Sequence, residues 1–196
     1  MSQHIKFSEI EIIDLLKAWA AITLAFGILM GGFSLSKLFI AMPIAGLTVG
    51  IGFLLHELAH KVVAQRYGLW AEFRSDDHML IFAIIFSFFG FVFAAPGAVL
   101  IHGYHITKKQ NGLISLAGPL TNLVLAVCFF ILAHSSPVEI VQTIGMYGAL
   151  INAWLGLFNM IPLWNFDGRK ILDWNKWAYG LTLAVAVVFS FAANIF

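Results

Sequence analysis

The feature that most constrains this chain is a succession of apolar runs, each long enough to cross a bilayer, separated by short polar turns. Leu113 to Ala133 carries no charged residue, His134-Ser135-Ser136-Pro137 makes a tight polar turn, and a further run extends from about Val138 to Met160. About 20 apolar residues cross the hydrocarbon core, and in lipid every backbone polar group needs an internal partner, so such runs fold as helices. Two more spans are expected before these. The first covers about 9–32, opened by Ser8-Glu9-Ile10-Glu11, which has the form of a capping box. The second covers about 38–66, and a last one follows at about 174–196. Only 11% of the residues are charged, against about 25% in soluble domains, and 61% are hydrophobic. The expected fold is an all-α polytopic membrane protein with about five full transmembrane helices, residues 1–196 forming one integral membrane domain. No appended soluble module and no secretory signal are expected. The lipid bilayer is its first partner. A net charge of +1 gives no nucleic-acid signal, and the single Cys128 excludes an intramolecular disulfide.

The stretch at 76–106 does not fit the simple pattern. Trp70-Ala71-Glu72-Phe73-Arg74 alternates like a short strand, Met79 to Ala95 is a borderline span, and Pro96-Gly97 breaks it. It either crosses the membrane, giving six plain spans, or enters and returns as a re-entrant segment with short β structure. The basic residues favour the second reading. With no net crossing there, Lys6, Lys17, Lys61, Arg66, Arg74, Lys108, Lys109, Arg169, Lys170 and Lys176 share one side, and Lys37 alone lies opposite. The positive-inside rule makes the crowded side cytoplasmic.

Inside the second run stands His56-Glu57-Leu58-Ala59-His60. Residues four apart share a helix face, so both imidazoles can meet one ion, with Glu57 placed to take a proton from water that the ion activates. By chance such a pentad appears in roughly 1% of chains of this composition, but ionisable groups at membrane depth are costly and mark function by default. A catalytic zinc needs a third ligand. His4, Glu9, Glu11, Asp14, His102, His105, Glu139 and Asp173 are candidates by type. Asp167 stands out because it follows a proline-broken apolar helix and precedes Gly168. Its other reading is an Asp-Gly turn at the interface.

With Asn159, Pro162, Asp167 and Gly168 in the pattern N-x-x-P-x-x-x-x-D-G downstream of His56, Glu57 and His60, the sequence resembles the site-2 protease family of intramembrane zinc metalloproteases. Gly118-Pro119-Leu120-Thr121-Asn122 is similar to the G-P-x-x-N element of that family. The likeness covers about 38–172, the expected catalytic core, and is of a compact prokaryotic kind without a PDZ domain. It implies one Zn2+ per chain held by His56, His60 and Asp167, with Asn159 near the active site. It implies single-span membrane-protein substrates, cleaved in or near a transmembrane segment in regulated intramembrane proteolysis. In that reading Glu57 is the general base, and the site lies near the cytoplasmic face of the plasma membrane.

Attack on a membrane helix requires local unwinding, and a strand edge could hold the unwound segment. The small residues Gly97, Ala98 and Val99 make the extended piece a candidate clamp, its other reading being a structural return of the inserted loop. Asn122 is a candidate cavity residue that could touch substrate, with interhelical hydrogen bonding as the alternative. His102 and His105 read as loop histidines, and the tryptophans, Trp70, Trp164, Trp174 and Trp177 among them, as interface anchors. Rival functions are a CAAX-type membrane protease, a metal-binding transporter and a catalytically inactive membrane scaffold. The Asn159–Gly168 element speaks against the first. A transporter would need polar residues along a complete path, and an inactive relative usually loses the base or a ligand.

Overall fold

The computed structural model describes residues 5–92 and 96–195, with side chains described as far as Phe191. Helix α1 (Glu9–Gly31) runs to a turn at Gly32 and is answered by α2 (Leu35–Ala45), a π-turn (Gly46–Gly50) and α3 (Ile51–Arg66), which form one continuous rod. Pro43 lies inside α2 and cannot donate to the helical ladder, and the wide turn follows directly. Trp19 of α1 packs on that turn, its Nε1–H donating to Gly46 O at 3.1 Å.

Strand β1 (Trp70–Ser75) then pairs antiparallel with β2 (Gly97–His102), and the short helix α4 (Asp77–Ser87) stands between them in sequence. The register places Ser75 opposite Gly97, and Asp76 N–H donates to Pro96 O at 3.1 Å. The excursion therefore ends beside the point it left. An eleven-residue helix is about 16 Å long, short of the roughly 30 Å of hydrocarbon, so 76–96 makes no net crossing. The re-entrant expectation agrees with this and six plain spans do not. Ala94 and Ala95, the expected end of the inserted stretch, lie outside the described residues, as do His4 and Phe196.

Helix α5 (Lys108–Ser135) opens on a capping box built by Thr107 and Gln110, and α6 (Glu139–Asn159) returns beside it. After the break at Pro162 come α7 (Asp167–Trp174) and α8 (Lys176–Ile195). Four helical stretches, Glu9–Gly31, Leu35–Arg66, Lys108–Ser135 and Glu139–Asn159, are long and apolar enough to cross a membrane. The fifth expected span corresponds to α8, whose described apolar part, Lys176–Phe191, is shorter. The protein is thus a mostly helical, multi-pass membrane protein with one small sheet.

The first helix starts as expected at Ser8, whose Oγ accepts Glu11 N–H at 3.2 Å, but the reciprocal half of that capping box is not formed. The Glu11 carboxylate turns inward instead, to Lys61 and to the backbone of Phe73. One apolar core joins Leu15, Ala18 and Ile22 of α1 to Phe53 of α3, Phe73 of β1 and Leu80 of α4. A second joins Ala64, Ala71 and Ile114, with Val99 and Ile101 packed against it. The sheet is thereby seated against the helix that carries the pentad.

Candidate metal centre

Within α3, His56 and His60 lie one turn apart, and their Nε2 atoms approach to 3.0 Å. Asp167 opens α7 and brings Oδ2 to 3.3 Å from His56 Nε2 and 3.1 Å from His60 Nε2. These are the only three His, Cys, Asp or Glu residues among the described ones that gather ligand atoms closely enough to hold an ion. Tetrahedral ligands at 2.0–2.1 Å from zinc would be separated by about 3.3 Å, so the triangle has the right size.

Hydrogen bonding agrees with that use. His60 Nδ1 meets Ile114 O at 2.8 Å, and a carbonyl can only accept, so Nδ1 carries the proton and Nε2 offers its lone pair. His56 Nδ1 meets Asn122 Oδ1 at 2.6 Å. The orientation of that amide is fixed because its Nδ2 donates to Gly52 O at 3.2 Å and Asn152 Oδ1 at 3.0 Å. Both imidazoles thus aim lone pairs at each other and at a carboxylate, an arrangement that calls for a cation.

Two glycines permit these approaches. A Cβ at Gly118 would lie 2.5 Å from His56 Nε2 and from His60 Nε2, and one at Gly168 would strike the backbone of Met160. Gly118 lets α5 lie directly over the imidazoles, and Gly168 lets α7 begin against the end of α6.

Glu57, buried like its neighbours, lines a cavity of about 670 Å³ together with His56, His60, Asn159 and Asp167. Strand β2 borders the same cavity through Gly97, Ala98, Val99 and Ile101. Asn159 is half-buried there, its Nδ2 donating to Leu155 O at 2.9 Å. Asn122 also reaches the cavity wall, but it is fully buried and its amide is engaged by His56, Gly52 and Asn152. It stands behind His56 and bridges helices by hydrogen bonds, while also bordering the cavity. Of the alternative third ligands, Glu9, Glu11, Asp14, His102, His105, Glu139 and Asp173 stand outside the gathered group, and His102 and His105 are exposed.

The family model for peptidase family M50 matches residues 44–146. The chain belongs to peptidase family M50. Proteins it is similar to include the provisionally named zinc metalloprotease MJ0611 of Methanocaldococcus jannaschii, 43% identical over 90% of this chain and 90% of its own. Provisionally named zinc metalloproteases of Bacillus subtilis (YwhC) and Mycobacterium tuberculosis (Rip3) are also similar. YwhC is 29% identical over 67% of this chain and 68% of its own. Rip3 is 32% identical over 63% of this chain and 28% of its own. No solved structure matches the chain significantly. Family membership and the apolar helices together make this M50 protein a membrane metalloprotease.

The sheet's two edges are not equivalent. Phe73 N–H donates to Glu11 Oε1 at 2.9 Å, Phe73 O accepts from Arg74 Nη1 at 2.8 Å, and Ala71 O accepts from Gln65 Nε2 at 3.1 Å. Phe73 and Ala71 therefore turn their backbone groups away from β2. Their partners Val99 and Ile101 occupy non-hydrogen-bonded pairs and turn theirs away from β1. Gly97 follows the same parity. Among the described residues, no strand pairs with the outer edge presented by Gly97, Val99 and Ile101, and the Val99 amide faces the Glu57 carboxylate there. Ala98, by contrast, belongs to the ladder with Arg74. The alternation that selects these three residues depends on which partner strand is present, a tertiary fact that composition does not carry.

Proposed function

We propose that this protein is a zinc-dependent intramembrane endopeptidase that cuts single-span membrane proteins in or near their transmembrane segment, as a step of regulated intramembrane proteolysis. The observation that carries the reading is the meeting of His56, His60 and Asp167 beside Glu57, in a cavity bordered by an open strand edge. Bound by those three residues, zinc would supply a Lewis acid that polarises a peptide carbonyl and lowers the pKa of water. Glu57 takes the proton of the attacking water and delivers it to the leaving amine. Asn159, on the same cavity wall, holds the substrate carbonyl with its amide. The backbone groups of Gly97, Val99 and Ile101 receive the unwound substrate as an added strand, which satisfies the polar groups that unwinding frees.

The site faces the cytoplasmic side of the plasma membrane in this reading. Lys61 is fully buried against Glu11 and says nothing about sidedness. The remaining basic residues still crowd one end of the helices, with Lys37 alone at the other. In a Cys128→Ser background, a cysteine at 134 should label from outside and one at 67 only after permeabilisation, and the reverse pattern would invert the topology.

Metal analysis combined with peptide cleavage tests the chemistry. Wild type should hold one zinc per chain, Asp167→Ala should lose it, and Glu57→Gln should keep it while losing turnover. Undiminished cleavage by Glu57→Gln would remove Glu57 as the base. Val99→Pro should impair cleavage and spare zinc, because the donor lost points away from β1, toward the cavity and Glu57. Wild-type rates in that variant would remove the strand-addition step. Ala98→Pro acts differently, breaking the pairing to β1.

A further inference from the structure

The proposed chemistry draws on α3, α6, α7 and β2 and leaves a fully buried ion pair without a task. Glu11 in α1 and Lys61 in α3 are both 0% exposed, and Oε2 of the one is paired with Nζ of the other. Well-packed apolar residues in place of such a pair are often neutral or stabilising by about 1–4 kcal/mol. Stability alone is thus a poor explanation for it, and its connections point elsewhere. Lys61 directly follows His60, and its ammonium lies 3.9 Å from the ring centroid of Phe7. The second oxygen of Glu11, Oε1, accepts the Phe73 amide at 2.9 Å. Phe73 is 0% exposed, meets Phe53 of α3 edge-on at 5.8 Å, and stands opposite Val99. One carboxylate thus grips both the helix that carries the metal ligands and the strand that supports the open edge.

The segment leading into α1 reinforces the same junction. Ser8 Oγ donates to Glu72 Oε2 at 3.2 Å, and Lys6 N–H donates to Gln65 Oε1 at 3.1 Å. Gln65 Nε2 is placed between Lys6 O and Ala71 O, at 3.2 and 3.1 Å. All of these residues before α1 lie outside the stretch matched by the family model, which begins at residue 44.

We propose that Glu11 is a positioning residue: with its charge held by Lys61, it fixes the height and register of the sheet against α3, and hence the distance of the Val99 edge from Glu57. Apolar packing between Phe73 and Phe53 presses the sheet onto the helix but tolerates sliding. A carboxylate bound to one particular amide and one particular ammonium does not. The inference rests on the reading of β2 as the edge that receives substrate.

Two double variants separate positioning from stability. E11Q/K61M removes both charges and keeps an acceptor for the Phe73 amide, whereas E11L/K61M removes the acceptor at similar volume. Each is assayed as the full chain in liposomes for zinc content, deuterium uptake over residues 70–75, and KM and kcat on a single-span helical peptide that the wild type cleaves. E11L/K61M should hold one zinc per chain, take up deuterium faster over 70–75, and lose about tenfold in kcat/KM, the scale of one charge-assisted hydrogen bond. E11Q/K61M, which keeps the acceptor for the Phe73 amide but loses the link to α3, should hold its zinc and lie between wild type and E11L/K61M in deuterium uptake and kcat/KM. Equal kinetics in the two variants, or loss of zinc or of the fold in E11L/K61M, overturns the positioning role. A wild-type chain that holds no zinc and cleaves none of a panel of such peptides would instead refute the proposed function, before any variant is compared.

Discussion

Replacing Gly118 by alanine should weaken zinc binding without unfolding the protein. Ile114, Gly118 and Asn122 are spaced four apart and share the face of α5 that lies over α3. Ile114 O holds His60 Nδ1 at 2.8 Å and Asn122 Oδ1 holds His56 Nδ1 at 2.6 Å, so both rings are pinned to α5 on either side of the glycine. An added Cβ would lie 2.5 Å from both Nε2 atoms. Carbon contacts settle near 3.5 Å, so the gap must open by about 1 Å. The rings cannot swing aside without breaking the bonds that pin them, and the helices must part. Overpacking of this kind costs about 1–3 kcal/mol, which at the metal site corresponds to about 5- to 150-fold weaker zinc binding. Competition with a chromophoric chelator in detergent measures it. Gly156→Ala is the control, since a Cβ there meets nothing closer than 3.5 Å. A folded Gly118→Ala protein with wild-type zinc affinity would refute the argument that α5 seats directly on the two imidazoles.

Other perturbations probe the support around the site. Asn122→Ala removes the acceptor for His56 Nδ1 and should cost about 10- to 100-fold in zinc affinity, measured by the same competition; an unchanged affinity would leave the Asn122 bond without a role. Phe73→Ala empties a fully buried site between the sheet and α3 and should cost about 3–5 kcal/mol of stability, read from denaturant unfolding. The hydrogen bond from Lys17, followed by that from Ser75, holds the Asp77 carboxyl below the usual range. Its folded pKa is depressed, so its contribution is present above the ordinary carboxylate pKa and fades as pH falls through the folded value. Asp77→Asn should therefore be less stable than wild type at neutral pH and converge with it in acid, and parallel unfolding curves across that range would contradict the Lys17 contact.

Different parts of this protein were legible in the sequence for different physical reasons. His56, Glu57 and His60 are visible because a spacing of four is a local property of any helix. Asp167 is brought to them by the turn after Pro162 and by the backbone approach at Gly168; the proline break and the glycine drew attention to it, and family likeness then implied its role as a ligand. The re-entrant course of 76–96 followed from charge counting, and the pairing of Ser75 with Gly97 gives it a structural cause. A lone asparagine on an apolar helix announces that it needs a partner and not which one. Asn122 could therefore be read toward substrate, although it stands behind His56. Glu11 and Lys61 misled further. Each lies near the end of an apolar run, where charges ordinarily face headgroups, and their burial against one another is a consequence of how α1, α3 and β1 pack.

The asymmetry of the sheet argues for use of its open edge independently of the metal. An unpaired strand edge invites unwanted association, and proteins ordinarily cover it. On the β1 side this chain does so thoroughly: Glu11, Gln65 and Arg74 come from three different elements to occupy the amide of Phe73 and the carbonyls of Ala71 and Phe73. On the β2 side, the backbone of Gly97, Val99 and Ile101 borders the cavity that holds Glu57, whose carboxylate faces the Val99 amide. Were the sheet only the foot of an inserted loop, both edges would face the same pressure to be closed. The closed edge fixes the sheet to α3, and the other edge, bordering the cavity, is where the proposed strand addition would take place.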